Sequence, residues 1–277
     1  MDFIEILKAI LFGIVEGITE WLPVSSTGHL ILLGNLLKPS MSDSFMEMFN
    51  VVIQLGAIMA VVVIYFNKLN PFSKKKTERQ KMLTWQMWIK VAIASVPAAV
   101  IGLLFNDIID RLFYKPLPVA IMLIVYGFLF IIVEDRNAKK QPSVTKISQL
   151  SMSMLLWIGV FQMLALIPGT SRSGATIVGA LLIGVSREVA AEFTFFLAIP
   201  VMLGASLLKI LKFGLAFTAM EAIILLVGTI VAFVVSVVVI RFLMDYIKKN
   251  DFQIFGWYRI VLGILVIICG MTGIINA

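Results

Sequence analysis

GIVEGITEWLPVSSTGHLIL, residues 13–32, begins and ends as an apolar helix but carries Glu16, Glu20, Pro23, Ser25, Ser26, Thr27, Gly28 and His29 between those ends. A polar, proline-broken turn inside an apolar run survives at membrane depth only where protein or a water-filled cavity covers it. The stretch therefore predicts a helix that enters a membrane, breaks and returns to the same side. A second stretch repeats the pattern. GVFQMLALIPGTSRSGATIV (159–178) sets Gly159 against Gly13, Gln162 against Glu16 and SRSG against SSTG. In each half a span opening near a glutamate follows, EMFNVVIQLGAI (47–58) and EVAAEFTFFLAI (188–199), and then two more apolar segments. Two like-patterned halves with opposed breaks predict an inverted repeat, an architecture that sets a site between two broken helices near the bilayer midplane.

The rest of the chain fits that frame. Of 277 residues, 60% are hydrophobic and 14% charged, against about 25% charged in soluble domains, which excludes a soluble globular protein. Apolar runs at 3–22, 28–37, 49–66, 88–105, 117–133, 150–167, 174–184, 193–211, 221–244 and 256–276 make ten helical segments. The expected fold is all-α and polytopic, a single membrane domain over 1–277 with internal repeats at about 1–135 and 150–277, each holding a re-entrant helical hairpin. The N-terminus lacks a basic n-region and reads as mature sequence. The net charge is +7, but Lys and Arg gather in the loops at 67–90, 134–149 and 241–255, which predicts cytoplasmic loops rather than a nucleic-acid partner. With both hairpins re-entrant, the count of crossings puts these loops on one side and both termini, with the 106–116 connection, on the other. The single cysteine, Cys269, excludes an intrachain disulfide and a thiolate metal cluster.

The chemistry concentrates in the two breaks. Glu16 and Glu20 are one helical turn apart and share a face. A carboxylate at membrane depth costs about 2.5–3.5 kcal/mol, so the pair calls for a cavity, a cation or a shared proton. His29, the only histidine, lies within a short polar turn of both acids, as general acid/base, as nucleophile or as a packing residue. Ser26 is a candidate nucleophile, while Ser25, Ser26 or Thr27 also suits a helix cap. Arg172, bracketed by Ser171 and Ser173 and followed by Gly174 and Thr176, combines a guanidinium, hydroxyls and a helix N-terminus into an anion site suited to phosphate oxygens. Its alternative role is to neutralise Glu16 or Glu20. Gln54 either reaches the cavity or bonds a neighbouring helix, and Glu192 is a secondary candidate or an interfacial charge.

EGITEWLPVSSTGH (16–29), with its ExxxE pair, and PGTSRSGAT (168–176) closely resemble the two signature regions of the undecaprenyl-diphosphate phosphatase, or bacitracin resistance protein, family. FNVVIQLGAI (49–58) and SREVAAEFTFFLAIP (186–200) extend the resemblance over nearly the whole chain. It implies a multi-pass hydrolase of the bacterial plasma membrane, with interlocked inverted repeats and an active site opening to the outer face. Such an enzyme converts undecaprenyl diphosphate to undecaprenyl phosphate and inorganic phosphate and recycles the lipid carrier for cell-wall synthesis. Carried over position by position, the functional residues become Glu16, Glu20, Ser26, His29, Ser171, Arg172, Ser173 and Thr176, with Ser25, Thr27 and Gln54 nearby. The family's divalent-cation dependence implies Mg²⁺ or Ca²⁺, for which Glu16 and Glu20 are the hard oxygen ligands. Arg172 with Ser171 and Ser173 then holds phosphate, Ser26 or a metal-bound water attacks, and His29 or Glu20 takes the proton. The implied partners are the lipid diphosphate and membrane lipids, with a second copy of the chain admissible as a homodimer. The alternative is a polyprenyl-phosphate flippase or anion transporter, which would share the inverted repeat and the midplane anion site.

Overall fold

The computed structural model describes residues 2–113, 115–214 and 216–272, without the side chains of residues 2, 106, 107 and 110. Eleven α-helices run in order among the described residues: α1 Asp2–Thr19, α2 Ser26–Leu37, α3 Asp43–Ile64, α4 Phe66–Leu69, α5 Glu78–Phe113, α6 Pro116–Asn137, α7 Met152–Leu164, α8 Arg172–Leu182, α9 Arg187–Phe213, α10 Ala219–Ile247 and α11 Gln253–Met271. No strand occurs among the described residues; one isolated bridge joins Val144 and Val185. Apart from the one-turn α4, these are the ten expected segments, and the chain is a multi-pass membrane protein. Six of them (α3, α5, α6, α9, α10, α11) are long and apolar enough to cross a bilayer. Large apolar side chains such as Leu103, Leu211 and Val238 are exposed on them, as a surface facing hydrocarbon requires.

Several boundaries differ from the sequence reading for local reasons. Hydroxyl caps start the helices earlier: Ser25 Oγ accepts the Gly28 N–H and Ser171 Oγ accepts the Gly174 N–H. The helices after the breaks thus begin at Ser26 and Arg172, and Ser26, Thr27 and Ser173 stand in first turns rather than in loops. At the other end α1 stops at Thr19, yet the Glu20 N–H still bonds the Glu16 carbonyl at 3.0 Å, which keeps both carboxylates on one face. The expected connection at 106–116 is mostly helix, since α5 continues to Phe113.

The halves interlock. The hairpin helix α1 packs along α10 of the second half, and α7 packs along α5 of the first; α3 faces α9 and α6 faces α11. Close approach needs glycine at matched positions. A Cβ on Gly13 would lie 2.6 Å from the Gly228 carbonyl oxygen, and one on Gly159 would lie 2.7 Å from that of Ala94. Matched caps support the same pairing, with Ser42 opening α3 and Ser186 opening α9.

The candidate active site

Two turns meet at the centre of this arrangement, residues 20–25 after α1 and 165–171 after α7. Each ends on a serine with positive φ, 73° at Ser25 and 70° at Ser171. Non-glycine residues rarely hold that conformation without surrounding support. The support comes from α11. Arg259, fully buried, donates from Nη1 to the Pro23 carbonyl at 3.1 Å and from Nη2 to the Gly169 and Thr170 carbonyls, both at 2.8 Å. One guanidinium thereby ties both turns together, with its other face over Tyr126. Gly169, at φ 90°, leaves no room for a side chain, since a Cβ would lie 2.4 Å from the Val119 carbonyl.

With the turns locked, the N-terminal ends of α2 and α8 converge on Glu20. Its Oε2 accepts the Ser26 hydroxyl at 2.9 Å, its Oε1 accepts Arg172 Nη2 at 2.9 Å, and its backbone carbonyl accepts the Ser173 hydroxyl at 3.1 Å. Arg172 also donates from Nη1 to the Thr194 carbonyl at 2.7 Å and lies over the Trp21 ring. A guanidinium has five N–H donors. Two are engaged here, and Nε is buried with no hydrogen-bond partner, so donors remain for an incoming anion without breaking the ion pair. Thr176 Oγ1 bonds the Arg172 carbonyl and Thr194 Oγ1, fixing α8 to α9, and the Ser171 and Ser173 hydroxyls lie 3.1 Å apart.

Glu16 is fully buried, and neither of its carboxylate oxygens has a hydrogen-bond partner. A buried carboxylate left alone is costly, so this one requires a cation or a proton. Among the described residues no group of three or more His, Cys, Asp or Glu side chains is placed to hold a metal. The protein offers two carboxylates.

The predicted residues are not all brought together. Ser26, Glu20, Arg172, Ser171, Ser173 and Thr176 form one linked network. Of the two roles left open for Arg172, the pairing with Glu20 is present, and Glu16 has no part in it. His29 stands beside the network: its Nδ1 lies 2.7 Å from the Ser25 carbonyl and its Nε2 lies 2.7 Å from the Tyr258 hydroxyl. A carbonyl only accepts, so Nδ1 carries a hydrogen, and Nε2 faces the Tyr258 hydroxyl. Half-buried Thr27 and Gln54 take no part in these hydrogen bonds. Glu192 pairs with Lys68 away from the network. Arg259 and Tyr258 were not expected; the available signal was a charge inside the apolar run 256–276, which in a membrane segment points to function.

The family model described as bacitracin resistance protein BacA matches residues 9–265. A protein of Desulfitobacterium hafniense named undecaprenyl-diphosphatase is 61% identical over 269 residues, 97% of each chain. One of the same name from Acetivibrio thermocellus is 62% identical over 265 residues, 96% of this chain and 97% of that one. Another, from Enterococcus faecalis, is 60% identical over 270 residues, 97% of this chain and 98% of that one. With both breaks inside the matched region, the chain belongs to the bacitracin resistance protein BacA family.

Proposed function

We propose that this protein hydrolyses undecaprenyl diphosphate to undecaprenyl phosphate and inorganic phosphate at the junction of the two broken hairpins, recycling the lipid carrier for cell-wall synthesis and giving bacitracin resistance. The observation that carries the reading is the Ser26 hydroxyl donating to the Glu20 carboxylate at 2.9 Å, a nucleophile in hydrogen-bond contact with its base. The relatives are named for hydrolysis rather than transport.

The terminal phosphate lies across the N-terminal ends of α2 and α8, whose free N–H groups favour an anion. The remaining Arg172 donors and the Ser171 and Ser173 hydroxyls hold its oxygens, where charge spreads in the transition state. Ser26 Oγ attacks the terminal phosphorus and its proton passes to Glu20. The bond from phosphorus to the bridging oxygen breaks, and the electron pair leaves with undecaprenyl phosphate. Water then attacks the phosphoserine phosphorus and passes a proton through the Tyr258 hydroxyl to Nε2 of His29, one turn beyond Ser26; the bond from phosphorus to Ser26 Oγ breaks, and Oγ takes back its proton from Glu20.

The residues present fit a divalent cation. Glu16 offers two unpartnered oxygens and Glu20 retains lone pairs, the donor set with which Mg²⁺ joins one or two carboxylates to substrate phosphates. Such a cation, Mg²⁺ or Ca²⁺, would neutralise charge on the diphosphate. Positive loop charge at 67–90 and 134–149 supports a cytoplasmic side there and a site opening to the outer face of the plasma membrane.

The test is phosphate release from undecaprenyl diphosphate by the detergent-solubilised chain, with and without chelator. Chelation should abolish turnover. Ser26→Ala should lower kcat roughly a thousandfold or more; a near-parental rate would make water the nucleophile.

A further inference from the structure

A cavity of about 830 Å³ lies among the basic segments, between residues 65–90, the turn at 145–148 and the start of α9. Its wall carries Lys68, Lys75, Lys76, Lys90 and Lys146 against two acids, Glu188 and Glu192. Only Lys68 is neutralised among the described residues, by Glu192.

Two of the other ammonium groups are fixed by neutral oxygens. Lys76 donates to the Lys68 and Asn70 carbonyls and to Thr84 Oγ1, at 3.2, 2.9 and 2.7 Å. Lys90 donates to the carbonyls of Ile147, Ser148 and Leu150, at 3.0, 2.8 and 2.8 Å. All three donors of each are used, so these lysines are built into the wall, but no carboxylate cancels their charge. Burial holds Lys76 below the usual lysine range, the direction an uncompensated cation takes. Lys75 and Lys146 are exposed and form no ion pair among the described residues, which leaves their ammonium groups free to reach into the cavity. Deeper in, Met87, Val189 and Phe196 give an apolar wall. Fixed positive charge, mobile donors and an adjoining apolar surface together match a phosphate group with an attached chain.

The cavity is distinct from the Arg172 site. Tyr65, on its wall, packs on Phe195 at a ring separation of 6.4 Å, and Phe195 packs edge-on against Trp21 at 5.2 Å. Trp21 in turn lies under Arg172, so an aromatic layer separates the two.

We propose that this cavity is a second binding site, for a phosphate-bearing anion, in which Lys75 and Lys146 contact the phosphate and Lys76 and Lys90 supply a fixed field. Neither hydrolysis nor the assignment of Ser26 enters into it. The test is calorimetry on the full chain in detergent, on an Arg172→Ala background so that binding reports the cavity alone, with dihexanoyl phosphatidate and inorganic phosphate as separate probes. Adding Lys75→Gln and Lys146→Gln should weaken binding at least tenfold and reduce its salt dependence. Lys75→Glu alone, at an exposed side chain, should weaken it at least threefold and keeps the test usable if the double change impairs folding. Tighter binding of phosphatidate identifies a lipid headgroup as the ligand; equal binding of inorganic phosphate identifies the free ion; either supports the site. Binding unchanged by the lysine substitutions, or absent with both probes, overturns it. In the chain with Arg172 intact, Lys75→Gln with Lys146→Gln should leave hydrolysis at the parental rate.

Discussion

Arg172 and Arg259 show how one side-chain type does two jobs at one junction. Arg259 spends its donors on three backbone carbonyls and holds the turns. Arg172 uses one donor on Glu20 and one on Thr194, with Nε unpartnered, and so keeps a fork for substrate. Lysine at 172 would retain the charge and the Glu20 pair but lose the planar two-point grip on phosphate. Arg172→Lys should therefore be nearly as damaging as Arg172→Ala, judged by kcat/KM of folded, inserted variants. A lysine variant within threefold of the parent, a loss of about 0.7 kcal/mol, would reduce Arg172 to a counter-ion. Glu16 is the complementary case, a buried carboxyl group with no hydrogen-bond partner. Glu16→Gln keeps the shape and removes the charge, so Ca²⁺ affinity measured by calorimetry should fall at least tenfold, and excess cation should restore part of the activity. Unchanged cation affinity in an inactive variant would assign Glu16 to proton chemistry instead.

At the level of elements, the hairpins are held by close helix contacts that leave no room for a methyl group. Gly13→Ala and Gly159→Ala should each destabilise the protein by about 1–3 kcal/mol through overpacking against backbone, read as a lowered melting temperature in detergent. Gly204→Ala is the control: nothing lies within 4 Å of a Cβ there, so alanine's helix propensity should leave stability equal or higher. These elements were largely legible in the sequence, because a proline-broken polar stretch in an apolar run has few structural solutions in a membrane. The convergence of Glu20, Ser26 and Arg172 followed from the matched breaks. Arg259 stands out in the sequence only as a charge in an apolar run, and its partners, like the role of Tyr258, were not legible. Arg259 acts across 236 residues on Pro23, and with Trp257 and Tyr258 it reads in sequence as part of an interfacial girdle. Only the crossing of α11 behind both turns gives that arginine carbonyls to hold. The orientation of His29 toward Tyr258 was hidden for the same reason, since local spacing places the histidine near Glu20 while the partner comes from the far end of the chain.

Across the whole molecule the two halves exchange equivalent contacts. Near the start of α3, Glu47 pairs with Lys209 in the last turns of α9; near the start of α9, Glu192 pairs with Lys68, just past the end of α3. Antiparallel helices that carry acid at one end and base at the other reproduce one ion pair at both ends of their contact. That pattern follows when α3 and α9 descend the membrane in opposite senses, which is the geometry of an inverted repeat. It fixes the sides relative to each other: residues near Lys68 lie at the opposite end of this helix pair from residues near Lys209. The expectation that the lysine-rich loop at 67–90 is retained in the cytoplasm supplies an absolute direction to test. On a Cys269→Ser background, a cysteine at 75 should resist an impermeant thiol reagent added to intact cells and react once the cells are opened. A cysteine at 216, in the connection between α9 and α10, should react from outside without opening. Both positions reacting from the same side would overturn the opposed orientation of the halves. Labelling of 75 alone from outside would keep the repeat but invert the molecule, and the Ser26–Arg172 junction would then open toward the cytoplasm.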